Sequence, residues 1–406
     1  MRYFHLITLI ASFAIAILVP TSLEAQERAK TVLVHYMPWY ASKPISGQWG
    51  WHWTMNHFNP EVAAADGRRE IASHDYPLIG PYDSGDDEAL ECQVLQMKFA
   101  GINGVVIDWY GTDNFRDYGL VHKNTQRLIE KIKKAKLQFA ICYEDQSVKH
   151  MVENGHVAKS EETASATKAL KWLSDHCFTA PEYVTSNGRP VLLVFGPQHF
   201  LKTELQGIAS GLPTRPVLFG LPHLSKAAGM EGAFGWPPVT GGGEISPEVW
   251  KAYLKDLYAR ETFVSVAFPG FYDIYKEASL HESYGYIDDR DGRTFTETLS
   301  LAKNSKSKLI QIATWNDFGE GTMIEPTEKH GYRYLEELQK SFPQRNRFTV
   351  EDLRLPVRLY QLQKKLLSNA LQVNELRLAS DLLFAGKCGD AQRVLDAVEK
   401  ASGKQR

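Results

Sequence analysis

Residues Leu309–Pro326 read LIQIATWNDFGEGTMIEP. The apolar run Leu309, Ile310, Ile312, Ala313 has the length and branching of a buried strand. Trp315 and Asn316 follow it. Two carboxylates, Asp317 and Glu320, then bracket Phe318-Gly319, and Gly321 closes the unit. A helical turn after the strand would put positions three apart on one face. Asp317 and Glu320 would then point into one space at the strand's C-terminal end. Two carboxylates facing one space can work as acid and base on a glycosidic bond. A plain acidic loop with a capping Glu is the structural alternative.

Working back from this stretch, the same pattern recurs. Apolar runs at Thr31–Met37, Gly104–Trp109, Leu137–Tyr143, Pro190–Phe195, Val217–Leu221, Gly232–Trp236, Thr262–Phe268 and Lys308–Thr314 read as eight strands. Helical stretches at Asp86–Ala100, His122–Ala135, Ser160–His176, Pro247–Tyr258 and Thr294–Lys303 alternate with them. Short strands alternating with helices imply a parallel sheet. Eight of them predict an α/β fold, a closed (β/α)8 TIM barrel spanning residues 31–345, with the site at the C-terminal strand ends. A doubly wound open sheet would carry a Gly-rich phosphate turn after an early strand, and neither GxGxxG nor a P-loop occurs. From Asp352 the chain becomes Leu-rich at helical spacing, and GKCGD reads as a turn between a long and a shorter helix. Residues 352–402 are therefore expected to form a C-terminal helical hairpin. One such unit cannot bury its own apolar face, so it packs either on the barrel, which is the expectation, or on a partner.

The chain is 43% hydrophobic, which allows a large core. A net charge of −2 argues against nucleic acid or an anionic membrane as partner. Residues 1–25 read as a signal peptide. Arg2 precedes an apolar run over Leu6–Val19 that is short for a bilayer span, and Pro20 ends it. The expected location is secreted or periplasmic, without membrane attachment after cleavage. The four cysteines form no C-x-x-C pair. Cys142 lies in a strand and reads as a buried free thiol. His52, His57 and His74 fit no common zinc spacing, so neither metal nor other cofactor is expected.

Polar and aromatic residues gather where the strands should end: Tyr36, Trp39, Asp108, Trp109, Glu144, Trp236, Trp315 and Asn316. The loop after the first strand adds His52 and Trp53, and such an aromatic loop is costly to expose unless it covers something. These ten residues are the candidate carbohydrate-binding set beside the candidate catalytic pair, Glu320 and Asp317.

The motifs YMPWY, His52-Trp53, PLIGPYDS, GINGVVIDWYG, AFPGFYD, DDRDGR and WNDFGEGTMIEP, in this order, resemble glycoside hydrolase families 99 and 71. These are the endo-α-mannosidases and endo-α-mannanases, and the α-1,3-glucanases. The resemblance covers about Thr31 to Lys340. The family 99 pattern N-E-W-H-E-G-T-x-I-E aligns with Asn316 to Glu325. By that match Glu320 takes the general acid/base position. Asp317 takes the position of the carboxylate that, in family 99, assists attack by the sugar 2-hydroxyl through an anhydro-sugar intermediate. Here that Glu is Asp, whose carboxylate sits roughly an ångström further back, enough to alter the step performed and to leave room for a water. The family 71 pattern W-N-D-W-G-E is matched more closely by Trp315 to Glu320. Trp236-Pro237-Pro238 and Gly196-Pro197 stand where family 99 has Tyr-rich and Tyr-Asp segments. The resemblance thus implies the fold and an exported glycoside hydrolase of α-mannan or α-glucan type, and leaves the sugar open. A catalytically silent glycan-binding protein on the same barrel is the alternative, and oligomeric state is undetermined.

Overall fold

A computed structural model describes residues 30–343, 347–366 and 370–403. The segment read as a signal peptide lies outside them. Eight parallel strands form in chain order: β1 Thr31–Tyr36, β2 Gly104–Trp109, β3 Gln138–Tyr143, β4 Arg189–Val194, β5 Val217–Gly220, β6 Gly232–Phe234, β7 Phe263–Ala267 and β8 Leu309–Ile312. Each pairs with its sequence neighbour, and β1 pairs with β8, Thr31 opposite Leu309. The sheet is therefore a closed barrel, the expected (β/α)8 fold. Several strands are shorter than the apolar runs that encode them. β8 stops at Ile312, where the backbone leaves the ladder and begins the loop that carries the two carboxylates. A two-residue strand, Thr185–Ser186, hairpins onto β4, and Phe271–Tyr272 pairs with Tyr286–Ile287 above the barrel.

Alternation along the strands sets what faces inward. His35 lies opposite Val106, and Asp108 lies opposite Cys142. Tyr36 and Trp109 have the other parity and face the helix layer. There the Tyr36 hydroxyl donates to Gln93 (2.7 Å) and the Trp109 indole donates to His122 (3.1 Å).

Asp86 caps the helix Asp87–Phe99 by accepting from the N–H groups of Glu88 and Ala89. Ser84, just ahead of it, accepts from the backbone N–H of Tyr40 (3.1 Å). This helix is buried on nearly every side. Its outer face is covered by the C-terminal helices, Leu355–Lys365 and then Ala370–Phe384 with Cys388–Gly403. Leu355, Leu359, Leu362, Leu376, Leu383 and Leu395 belong to the same apolar cluster as the barrel strands. Polar ties flank them. Lys364 pairs with Asp86 (2.6 Å) and Glu88, and the Ser380 hydroxyl donates to Glu91 (2.9 Å). The region thus holds three helices, and the two after residue 370 are nearly equal in length, 15 and 16 residues. Helix restarts at Cys388, inside the GKCGD turn.

Candidate active site

The loop after β8 is a hydrogen-bonded turn, without the helical turn that the spacing predicts. Thr314 and Thr322 pair across its neck, with Thr314 N–H donating to Thr322 O (2.8 Å) and Ile324 N–H to Thr314 O (3.0 Å). The Asp317 N–H donates to the Thr314 hydroxyl (2.8 Å), and the Glu320 N–H donates to Asp317 Oδ1 (3.1 Å). Gly321 has φ +65°, and a Cβ there would stand 2.6 Å from the carbonyl oxygen of Tyr272. Only glycine fits that crossing. It lets the loop pair with the chain above β7, through Tyr272 N–H to Glu320 O and Ile274 N–H to Gly319 O.

Asp317 and Glu320 consequently face one cavity of about 300 Å³ at the C-terminal end of the barrel. Asp108, Glu144, Trp39, His52 and Trp236 line it as well, together with Tyr40, Tyr110, Gln146, Gln198, Tyr275 and Tyr284. A second cavity of about 890 Å³ shares Trp39, Trp51, His52, Tyr110, Glu144 and Gln146 with it. The two form one groove with a narrow carboxylate-lined end and a wide aromatic end. Half-exposed Trp51 stands on their shared wall.

Seven of the twelve residues singled out from the sequence thus line the narrow cavity. The other five lie behind its wall, and their polar groups are largely spoken for within the protein. Tyr36 and Trp109 face the helices, as above. The Trp53 indole donates to the Tyr82 carbonyl (2.7 Å). Asn316 accepts from Met37 N–H (2.8 Å) and donates to Met37 O and to the Tyr82 hydroxyl (3.0 Å each). Trp315 is fully buried. These residues support the loop from below. Glu325 does the same, accepting from Gln93 (2.7 Å) and from the Tyr82 hydroxyl (2.8 Å). Tyr82 lies within the PLIGPYDS motif, so the motif's role here is to brace the carboxylate loop.

His52 stacks on Trp39 with ring centroids 4.0 Å apart and pairs with Asp117 at 3.4 Å. It holds the indole flat against the groove wall. His74 stacks on Tyr272 (3.7 Å) near the rim. The charged turn after Ile287 is internally paired, with Arg290 binding Glu297 and Thr294. All four cysteines are free and buried.

Among the described residues no lysine or arginine lines the narrow cavity, where four carboxylates meet. Burial raises Asp317 from 3.8 to about 7. Burial, and then the charge of Asp317, holds Glu320 well above the usual carboxylate range, while the Trp236 indole (3.4 Å) opposes that rise. Asp108 and Glu144 are also raised, chiefly by burial. Around neutral pH the pair therefore keeps a proton on Glu320 while Asp317 ionises. That is the division of labour between an acid and a base.

A family model described as glycosyltransferase WbsX matches residues 279–338, which include both carboxylates. The human glycoprotein endo-α-1,2-mannosidase-like protein is 24% identical over 318 residues, 71% of this chain and 67% of that protein. The mouse glycoprotein endo-α-1,2-mannosidase is 22% identical over 71% of this chain and 66% of its own length. The family 99 endo-α-mannosidase of Bacteroides thetaiotaomicron superposes with a TM-score of 0.60, at 17% identity, over 78% of this chain and 97% of its own. This chain resembles the family 99 endo-α-mannosidases. At that identity the structural likeness establishes the shared barrel. Among the described residues no helix is long and apolar enough to cross a membrane.

Proposed function

We propose that this chain is a glycoside hydrolase acting on an α-linked glycan or polysaccharide of α-mannan or α-glucan type, and that it acts outside the cytoplasm. Glu320 protonates the leaving oxygen, and Asp317 serves as base or assists the 2-hydroxyl. The observation that carries this reading is the convergence of Asp317 and Glu320 on one cavity, buried enough for one of them to keep its proton near neutrality. The likeness to endo-α-mannosidases supports the reaction class. The groove fits a chain of sugars, with aromatic faces at Trp39 and Trp51 for the C–H faces of the rings and acceptors at Asp108, Glu144 and Gln146 for hydroxyls. The groove extends from the carboxylates into a wide second cavity with room for several sugars, and the likeness to endo-acting mannosidases supports cleavage within a chain. The N-terminal segment read as a signal supports export.

The test is incubation with a panel of α-mannans and α-glucans, read by release of reducing ends and by product length. Turnover on one class, with oligosaccharide products, is expected. Binding without turnover would mark a silent glycan-binding protein. Products lengthened by sugar transfer, without reducing-end release, would mark a transferase.

A further inference from the structure

The interior of a (β/α)8 barrel is ordinarily filled by branched apolar side chains. Here three adjacent strands instead turn an imidazole, a carboxylate and a thiol inward near their C-terminal ends: His35 on β1, Asp108 on β2 and Cys142 on β3. His35 and Cys142 are 0% exposed and Asp108 is 1% exposed. Among the described residues, both ring nitrogens of His35 and both carboxylate oxygens of Asp108 lack a hydrogen-bond partner of good geometry, with the Gln311 side chain close enough to favour the charged form of His35. Orphaned polar atoms buried to that degree are expensive. Their arrangement is convergent. One ligand atom from each of the three residues lies within 4.8 Å of the other two, and His35 Nε2 stands 3.8 Å from Asp108 Oδ1.

We propose that His35, Asp108 and Cys142 form a binding site for one divalent transition-metal ion of the zinc class. Nitrogen, oxygen and sulfur donors together suit Zn²⁺ and disfavour calcium or magnesium, which take oxygen ligands. A thiolate and a carboxylate cancel the two positive charges, so the loaded site is neutral inside the barrel. In a tetrahedral site ligand atoms stand roughly 3.3–3.7 Å apart, so loading draws the three groups together by up to about 1.5 Å. Asp108 also lines the groove. The ion would tie β1, β2 and β3 together and fix the carboxylate of Asp108 where substrate hydroxyls arrive. No short motif marks such a site, because the ligands are far apart in the chain and meet only through strand register. It uses none of His52, His57 and His74. It rests on the barrel interior and is independent of the hydrolase reading.

The experiment is metal analysis of the full-length protein purified without chelator, followed by Co²⁺ titration of the chelator-treated protein. About one zinc per chain is expected. Co²⁺ should give a sulfur-to-cobalt charge-transfer band that disappears in Cys142→Ala. His35→Gln should weaken Zn²⁺ affinity by at least 10-fold. Zinc removal should lower the melting temperature of the wild type but not of Cys142→Ala. Folded wild type that carries less than about a tenth of an equivalent of metal and shows no charge-transfer band would overturn the proposal. So would an unchanged band in folded Cys142→Ala.

Discussion

The backbone N–H of Glu320 donates to the carboxylate of Asp317 at 3.1 Å, so the residue read as the acid also holds its partner in place. That bond favours the ionised form of Asp317 and works against the burial that raises it. The charge so placed in turn helps keep the proton on Glu320. Burial by the surrounding barrel raises both groups, and the contacts within this four-residue turn set them apart.

The first prediction is the pH profile that follows. Asp317 must be ionised, so kcat/KM should fall as pH drops through about 7. Glu320 must be protonated, so activity should fall again on the alkaline side, as pH rises through its raised pKa. The profile is a bell whose acid limb lies near neutrality. A rate that is maximal near pH 4, about where unperturbed carboxylates titrate, would contradict it.

Trp236→Phe removes the indole N–H that reaches Glu320 at 3.4 Å. The bond favours the charged form, so losing it should move the alkaline limb to higher pH and leave the acid limb in place. The same pH series on the variant reads this directly. A shift to lower pH would show that the indole contact has been assigned the wrong role.

Glu325 gives a stability prediction outside the groove. Burial raises it from 4.5 to about 8 in the folded protein. Its contribution is therefore fully present below about 4.5 and is lost as pH rises through about 8, where the folded state must release the proton. The loss integrates to a few kcal/mol by order of magnitude. Melting temperature compared for wild type and Glu325→Gln should show the wild type losing ground between pH 5 and 8, and parallel curves would refute the burial account.

Much of the barrel is legible in the chain because each strand is an apolar run bounded by turn residues, and even the three-residue strand Gly232–Phe234 falls where the pattern requires one. The facing of the strand-end residues was legible too, through alternation. Once Asp108 points inward, Trp109 must point outward, and Tyr36 stands in the same relation to His35. Grouping residues by their position at strand ends, without that parity, brings Tyr36 and Trp109 into the site set. Tyr110, Tyr275, Tyr284 and Gln146 could not be reached in this way. Tyr275 and Tyr284 enter from the loop beyond β7, and no periodicity encodes such a return, while Tyr110 directly follows β2 and Gln146 opens the helix after β3. Glu325 was visible as the last residue of the resembled pattern, but its partners Gln93 and Tyr82 lie far away in the chain.

The C-terminal helices make a fourth prediction. Truncation before Asp352 would uncover the face of the helix Asp87–Phe99 that carries Glu88 and Glu91 and remove the leucines packed against the barrel cluster. Lower solubility or a melting temperature reduced by several degrees is expected, since stranding a few buried leucines costs several kcal/mol. An equally stable, monomeric truncation product would show that the barrel stands without this cover.

The central claim is that Glu320 delivers the proton. Glu320→Gln keeps the size of the side chain but cannot donate to a glycosidic oxygen. The decisive measurement is its rate relative to wild type on two substrates, a natural α-linked oligosaccharide and an aryl glycoside of the same sugars whose nitrophenol leaves without protonation. General acid help is worth roughly 10²–10⁴-fold. The account predicts a loss of that order on the oligosaccharide and a far smaller loss on the aryl glycoside, while Asp317→Asn slows both. Equal losses on the two substrates in Glu320→Gln would contradict it.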